Sequence, residues 1–105
     1  MVNPNILLSM QRREYEISID FNFTRIKKVM IDPHYEEKHS DSISDEVILA
    51  LVQKLDGLRM IPEDVNPPYA YFTEDKMELN EKFYKLVWLL EDDQIYIGVV
   101  NAYRR

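Results

Sequence analysis

The chain has no cysteine and only two glycines among its 105 residues. Without cysteine it cannot form a disulfide, a thiolate zinc site or a cysteine nucleophile. Gly57 and Gly98 lie too far apart for a glycine-rich phosphate loop. No apolar run approaches the roughly 20 residues of a membrane span, and MVNPNILLSMQRRE lacks the basic leader and cleavage site of a signal peptide. We therefore expect a soluble cytoplasmic protein that folds as a single domain over residues 1–105.

The net charge is −6 at neutral pH and is unevenly distributed. Residues 25–39 carry four Lys and Arg against three carboxylates, whereas residues 40–81 carry ten carboxylates against three bases, a net of −7. Proteins that bind nucleic acid gain affinity by neutralising phosphates, so the total charge argues against that class of partner. The acidity is concentrated in the middle of the chain, and the segments on either side remain candidates for contact with phosphate.

The last third of the chain predicts two paired strands at the centre of a sheet. Residues 86–90 and 95–100 are almost all apolar, the pattern of strands covered on both faces, and the acidic residues 91–93 between them are typical of a turn. The second strand then ends in an amide, a phenol and two guanidinium groups: Asn101, Tyr103, Arg104 and Arg105. A rigid strand that ends in polar groups is a common support for a functional site.

The first third of the chain predicts strands. Residues 15–23 alternate between apolar and polar side chains, which indicates a strand with one wet face. Residues 25–31 keep an apolar trace that fits either a second strand or a short helix. Residues 5–10 fit either a short edge strand or a loose segment.

Two helices are predicted in the middle of the chain. Asp32-Pro33 has the features of a helix start, with Asp as the N-cap and Pro at the first helical position, and this helix includes His39. The second helix begins at Ser42 or Ser44 and runs to about Leu55, with apolar residues at helical spacing.

The remaining segments complete the predicted fold class. Residues 58–68 are a proline-punctuated connection, and residues 69–73 and 77–79 predict two short strands with a turn at 74–76. Helices that lead into an antiparallel meander make an α+β domain. We expect two helices in the N-terminal half, packed on one face of an antiparallel sheet of about four to five strands.

Both histidines of the chain lie in the first predicted helix, in the segment H34-Y-E-E-K38-H39. His34 and Lys38 share a helix face, while His39 is turned by roughly 140° from His34. Histidine suits proton transfer at neutral pH, and lysine offers a fixed charge for phosphate. The alternative is an amphipathic helix whose polar face includes these residues by chance. A metal site would need His34 and Glu37, with Asp32 or Glu36, but it lacks a third nitrogen ligand, and we expect no metal.

The polar end of the last strand forms the second candidate cluster. Alternation places Asn101, Tyr103 and Arg105 on one face of the strand and Arg104 on the other. An arginine fork suits phosphate oxygens, and a phenol or an amide can position a ribose or a base edge. We expect Asn101 and Arg105 to bind substrate, although a solubilising tail also explains Arg105.

The layout of residues 32–105 resembles a known family. Two helices before a four-stranded antiparallel sheet, His and Lys on the first helix and the ending YKLVWLLEDDQIYIGVVNAYRR are similar to the barnase–EndoU–colicin–RelE group of small ribonuclease toxins. The resemblance is closest to RelE/ParE-like toxins of toxin–antitoxin systems and to phage-encoded relatives. It implies cleavage of RNA without a metal or other cofactor, and a cognate antitoxin or immunity protein as partner.

The resemblance also implies catalytic roles. His34 or His39 would take the proton from a ribose 2′-hydroxyl, whose oxygen attacks the neighbouring phosphate. Lys38 and Arg104 would stabilise the charge that develops on the phosphorane. Tyr103 or the other histidine would protonate the leaving oxygen.

Two further hypotheses remain open from the sequence. The charge of −6 favours a non-catalytic interaction protein, such as an acidic immunity or antitoxin-like partner that covers a basic nuclease. A degenerate member that keeps the fold without activity is the third. The clustered histidines and the polar strand end favour the ribonuclease.

Overall fold

The computed structural model describes residues 12–39 and 41–105 and shows an α+β fold. The predicted alternatives for residues 5–10 lie outside the described residues. Six strands and two short helices follow one another along the chain: β1 Arg13–Phe21, β2 Thr24–Ile31, α1 Glu36–His39, α2 Asp45–Gln53, β3 Asp64–Asn66, β4 Tyr69–Leu79, β5 Lys82–Glu91 and β6 Tyr96–Arg104. A 3-10 turn, Pro33–Tyr35, leads directly into α1.

The strands form one mixed sheet in the order β1-β2-β6-β5-β4-β3. All neighbours are antiparallel except β2 and β6, which run parallel. The α+β class is as expected, and the sheet has one strand more than the four to five expected. Strand β6 is the last strand of the chain but lies between β2 and β5. After β2 the chain passes through the helices and strands β3 to β5, and then returns as β6 in the same direction as β2.

The strands differ from the sequence prediction at two places. The acidic segment 74–76 does not end a strand: it forms an irregularity between Glu74 and Met77, and β4 continues through it as a single long strand. The short β3 lies inside the segment predicted as a connection, where it pairs with the start of β4. A bulge and a three-residue edge strand both lack the apolar alternation that sequence analysis detects.

Both helix starts follow the predicted capping chemistry. The Asp32 carboxylate accepts a hydrogen bond from the backbone N–H of His34 at 2.9 Å, and Pro33 occupies the first helical position. The Ser44 hydroxyl accepts from the backbone N–H of Val47 at 3.2 Å. Helix α2 ends at Gln53, slightly before the predicted end.

Helix α2 packs on one face of the sheet and forms the core with it. Its buried apolar residues join those of the five long strands β1, β2, β4, β5 and β6. At the centre Phe21 and Phe72 pack against Trp88, with ring centroids 5.7 and 5.6 Å from the indole. Among the residues that the structure describes, no helix is long and apolar enough to cross a membrane.

The sheet has two ends of different character. The histidine end comprises the end of β2, the turn and helix over residues 32–39 and the end of β6. The hairpin end comprises the β1–β2 turn at Asn22-Phe23, the loop over residues 56–62 and the β5–β6 turn over residues 92–95. Helix α2 runs from the first end to the second, because Asp45 at its start contacts Arg13 and Gly57 beyond its end contacts Asp20.

Candidate functional site at the histidine end

The histidine turn lies beside the unpaired edge of β6. Strand β2 pairs with β6 only as far as the partners Ile31 and Val99, whereas β6 continues to Arg104. The backbone N–H of Asp32 donates to the carbonyl of Val99 at 3.2 Å, and residues 33–39 then follow the part of β6 that β2 has left. The early end of β2 thus makes room for the histidines next to the polar strand end.

A β-bulge in β6 sets the direction of its polar residues. Val87 of β5 pairs with Asn101 and Trp88 pairs with Val99, which leaves Val100 as an extra residue. Uninterrupted alternation from the buried Val99 would direct Asn101 and Tyr103 into the core. The bulge instead places Ala102 in the core and presents Asn101 and Tyr103 on the opposite face.

Five residues line a cleft of about 140 Å³ between the turn and the strand: His34, Tyr35, Lys38, His39 and Asn101. The imidazole of His39 stacks on the phenol ring of Tyr103, with centroids 5.1 Å apart and planes 26° from parallel. The structure therefore brings together four polar residues predicted from two distant segments, and the stack adds Tyr103 at their side.

The two imidazoles have different surroundings. His34 is largely exposed, and its Nδ1 lies 3.5 Å from a carboxylate oxygen of Glu37. Nε2, the other ring nitrogen, has no such carboxylate contact among the described residues. His39 is half-buried against Tyr103. One imidazole is thus exposed beside a carboxylate, and the other is held by a ring stack.

Lys85 is a site residue that sequence analysis missed. It pairs with Tyr103 across β5 and β6, and its Nζ lies 5.7 Å from the centroid of the Tyr103 ring. A lysine at this distance from an aromatic face interacts favourably with it. The signal in the sequence was a lone charged residue inside an apolar strand, between Tyr84 and Leu86.

The two C-terminal arginines lie apart from this cleft. Arg104 pairs with Tyr84 on the face of β6 opposite to Tyr103. The guanidinium of Arg105 contacts the Asp75 carboxylate at 3.2 Å, at the irregularity of β4. Lys38, in contrast, lines the cleft with both histidines, and Lys85 approaches Tyr103, which stacks on His39.

A carboxylate network holds the histidine turn to the sheet. Asp45 accepts two hydrogen bonds from Arg13, at 2.6 and 2.9 Å, one from the Tyr15 hydroxyl at 2.5 Å and one from the Tyr35 hydroxyl at 2.7 Å. Arg13 also lies 3.3 Å from Glu36. Strand β1, helix α2 and the histidine turn therefore meet at one half-buried carboxylate.

The network shifts the pKa values of its members. Burial opposes ionisation of Asp45, but the hydrogen bonds from Arg13, Tyr15 and Tyr35 outweigh it and hold the pKa of the carboxyl below its ordinary value. Burial, and then the hydrogen bond to Asp45, raise the pKa of Tyr35. The carboxylate is consequently charged, and Tyr35 neutral, throughout the physiological pH range. No local pattern marks this network, since Arg13 and Asp45 lie far apart in the sequence.

Within residues 12–39 and 41–105 no group of three or more His, Asp or Glu is placed to hold a metal ion. Comparison of the chain with protein-family models, with curated proteins and with solved structures gave no match.

Proposed function

We propose that the protein is a toxin-like ribonuclease that cleaves RNA at the histidine end without a metal. The observation that carries this proposal is the cleft in which His34, His39, Lys38 and Asn101 meet, with Tyr103 stacked on His39. Two imidazoles and a fixed positive charge around one small cleft match the needs of RNA transesterification: a base, an acid and a group that stabilises phosphate charge.

In the proposed reaction His34 is the base. Its Nε2 takes the proton of a ribose 2′-hydroxyl, because Glu37 lies beside Nδ1. The 2′-oxygen then bonds to the adjacent phosphorus. The bond from phosphorus to the 5′-oxygen of the next nucleotide breaks, which yields a 2′,3′-cyclic phosphate and a 5′-hydroxyl. No step requires water or an oxidant.

His39 is the proposed acid that protonates the departing 5′-oxygen. Stacking on Tyr103 orients its ring beside the cleft. The Tyr103 hydroxyl is the alternative proton donor. Asn101 is proposed to contact the ribose or a base, because its Oδ1 already accepts from the backbone N–H of Ala102 and its NH₂ group is left to donate.

Lys38 and Lys85 are the proposed phosphate-binding groups. Lys38 lines the cleft, and Lys85 approaches Tyr103 from the neighbouring strand. Arg104, at the end of β6, is proposed to contact the RNA backbone beyond the scissile phosphate, since it faces away from Tyr103. For Arg105 the ion pair with Asp75 favours a structural role over substrate binding.

A non-catalytic interaction protein is the second candidate function. The charge of −6 favours it, as does the acidic hairpin end. In that case the histidine end would be a polar surface with no catalytic role, and the partner would be a basic nuclease. An antitoxin or immunity protein is the corresponding partner if the chain is itself the nuclease.

Cleavage of a 5′-labelled RNA by the purified protein in EDTA tests the proposal. The test compares the wild type with His34→Ala, His39→Ala and Arg104→Ala. Lys82→Ala is the control, because it removes a charged side chain of β5 that does not line the cleft. The proposal predicts cleavage by the wild type, a 2′,3′-cyclic phosphate product, a loss of at least about 100-fold in each histidine variant and no loss in Lys82→Ala. Absence of cleavage on several RNAs at high protein concentration, or equal cleavage by all variants, would contradict it.

A further inference from the structure

The hairpin end exposes large apolar side chains from three separate loops. Phe23 is 82% exposed and Ile61 is 92% exposed, while Leu58 and Ile95 are each nearly half exposed. Single exposed apolar residues are ordinary on protein surfaces. Four of them gathered at one end of a small sheet mark a candidate surface for contact with another molecule.

Hydrogen bonds of the Asn22 side chain and of the backbone join the two loops that carry Phe23, Leu58 and Ile61. The side chain of Asn22 accepts from the backbone N–H of Met60 at 2.7 Å and donates to its carbonyl at 2.9 Å. The backbone N–H of Asn22 donates to Leu58, and that of Gly57 donates to Asp20, at 3.0 and 2.7 Å. Residues 20–23 and residues 57–60 are therefore joined by four hydrogen bonds, with Phe23, Leu58 and Ile61 exposed on these loops.

Phe23 has a backbone conformation that is unfavourable for a bulky side chain. Asn22 and Phe23 have φ values of +51° and +65°, which is the left-handed region that a two-residue hairpin turn requires and that glycine adopts most easily. A bulky residue in this region is uncommon. The ring is also exposed, with the Arg59 guanidinium 4.1 Å from its centroid. An exposed aromatic residue at a strained turn position indicates that the ring has a functional role, such as contact with a partner.

An acidic cleft of about 440 Å³ lies beside these residues. Its lining combines apolar groups from the sheet, including Ala70 and Leu90, with the carboxylates Glu91, Asp92 and Asp93. Among the described residues that line it there is no lysine, arginine or histidine. The cleft therefore offers an apolar floor with a negative rim.

We infer that the hairpin end is a docking surface for a basic segment of a partner protein, in which an aliphatic or aromatic side chain enters beside Phe23 and Ile61. Lysines or arginines on either side of that anchor would meet the carboxylates of the rim. Nucleic acid is a poor occupant because the rim repels phosphate. A second copy of the chain is a poor occupant because it would bring the same acidic rims together. The inference stands independently of the proposed RNA cleavage.

A panel of labelled 15-residue peptides tests this docking surface. Each peptide carries one Leu, Phe or Trp flanked by four Lys or Arg residues, and a matched set carries Glu in their place. Fluorescence anisotropy measures affinity, and ¹⁵N–¹H NMR spectra of the full chain locate the contact. We expect at least one basic peptide to bind, to lose affinity as salt is raised and to shift resonances of Phe23, residues 58–62 and residues 92–95.

Two turn variants make the test specific. Phe23→Gly removes the ring and relieves the backbone, so the protein should remain folded and bind at least about tenfold more weakly. The other hairpin turn, Asn80-Glu81, also has positive φ at both residues, so Glu81→Gly is a matched control that should leave affinity unchanged. Failure of every basic peptide to bind, equal binding of the Glu peptides, contacts that map elsewhere or full affinity in Phe23→Gly would each overturn the inference.

Discussion

The histidine end and the hairpin end both lie where strands of the sheet end, but different interactions stabilise their loops. At the histidine end a charged network around Asp45 anchors the turn that carries His34 and His39. At the hairpin end, hydrogen bonds from the backbone and the side chain of Asn22 anchor its turn to residues 58–60. The first arrangement presents polar side chains, and the second presents apolar ones.

The two ends also differ in how many of their carboxylates form ion pairs. At the histidine end Glu36, Glu37 and Asp45 each lie within an ion-pair distance of Arg13 or His34. At the hairpin end, within the described part of the chain, Asp92 and Asp93 have no ion-pair partner. Asp92 and Asp93 therefore leave negative charge uncompensated by an ion pair at the hairpin end.

Asp45→Asn should have the largest effect and should act on the histidine end. The substitution leaves Arg13 without its bidentate partner and weakens the hydrogen bonds of two tyrosines. We expect a loss of about 2–4 kcal/mol in the free energy of unfolding, measured by urea titration. Glu46→Gln, in the same helical turn but exposed, is the control and should change it by less than about 0.5 kcal/mol. A loss as large in Glu46→Gln would show that Asp45 has no special role.

Lys85→Ala should weaken RNA cleavage or binding by about tenfold while leaving stability nearly unchanged, because the lysine contributes charge beside Tyr103 and not core packing. Lys82→Ala, at the start of the same strand, is the matched control. Fluorescence anisotropy with a labelled RNA measures affinity, and kcat/KM is measured in parallel. Equal effects of the two substitutions would contradict the placement of the site at the histidine end.

The pH dependence of stability should report the Asp45 network. The folded pKa of Asp45 lies below its unfolded value, so between the two values the unfolded chain binds more protons and stability rises with pH. The stabilisation should be complete above the unfolded pKa of about 4 and should disappear as pH falls through the folded pKa. Urea titrations from pH 2 to 7 should show a shallower acid dependence for Asp45→Asn than for the wild type. Identical acid limbs would show that Asp45 ionisation does not stabilise the fold.

Phe23→Gly should change the free energy of unfolding less than Asp45→Asn does and in the opposite direction. Glycine relieves the left-handed backbone strain of about 1 kcal/mol but adds entropy to the unfolded chain, so we expect a gain of up to about 1 kcal/mol. Glu81→Gly should behave similarly, since its φ is +67°. Thermal unfolding measures both variants. A clear loss of stability in Phe23→Gly alone would mean that the ring supports the fold and is not held for a partner.

Local sequence signals account for much of the fold. The α+β class and both helix caps, Asp32 and Ser44, depend on residues within a few positions of each other, and the structure shows both caps. The parallel pairing of β2 with β6 joins segments far apart in the chain, and no local pattern specifies it.

The candidate site was predictable only in part, because some of its residues meet only through contacts between distant segments of the chain. His34, Lys38 and His39 form a local cluster, and the polar strand end supplied Asn101 and Tyr103. Lys85 and Asp45 join the site through tertiary contacts. The bulge at Val100, which decides the face that Asn101 and Tyr103 occupy, also depends on pairing with β5. These contributions arise from the packing of the sheet and not from spacing in the sequence.

The most direct test of the account is an NMR titration of the ¹⁵N-labelled protein with a 2′-O-methyl RNA, which lacks the attacking hydroxyl and cannot be cleaved by the proposed route. The account predicts that the resonances of His34, Lys38, His39, Lys85 and Tyr103 shift while those of Phe23 and residues 92–95 do not. Absence of any shift at millimolar RNA, or shifts confined to the hairpin end, would contradict the assignment of RNA chemistry to the histidine end.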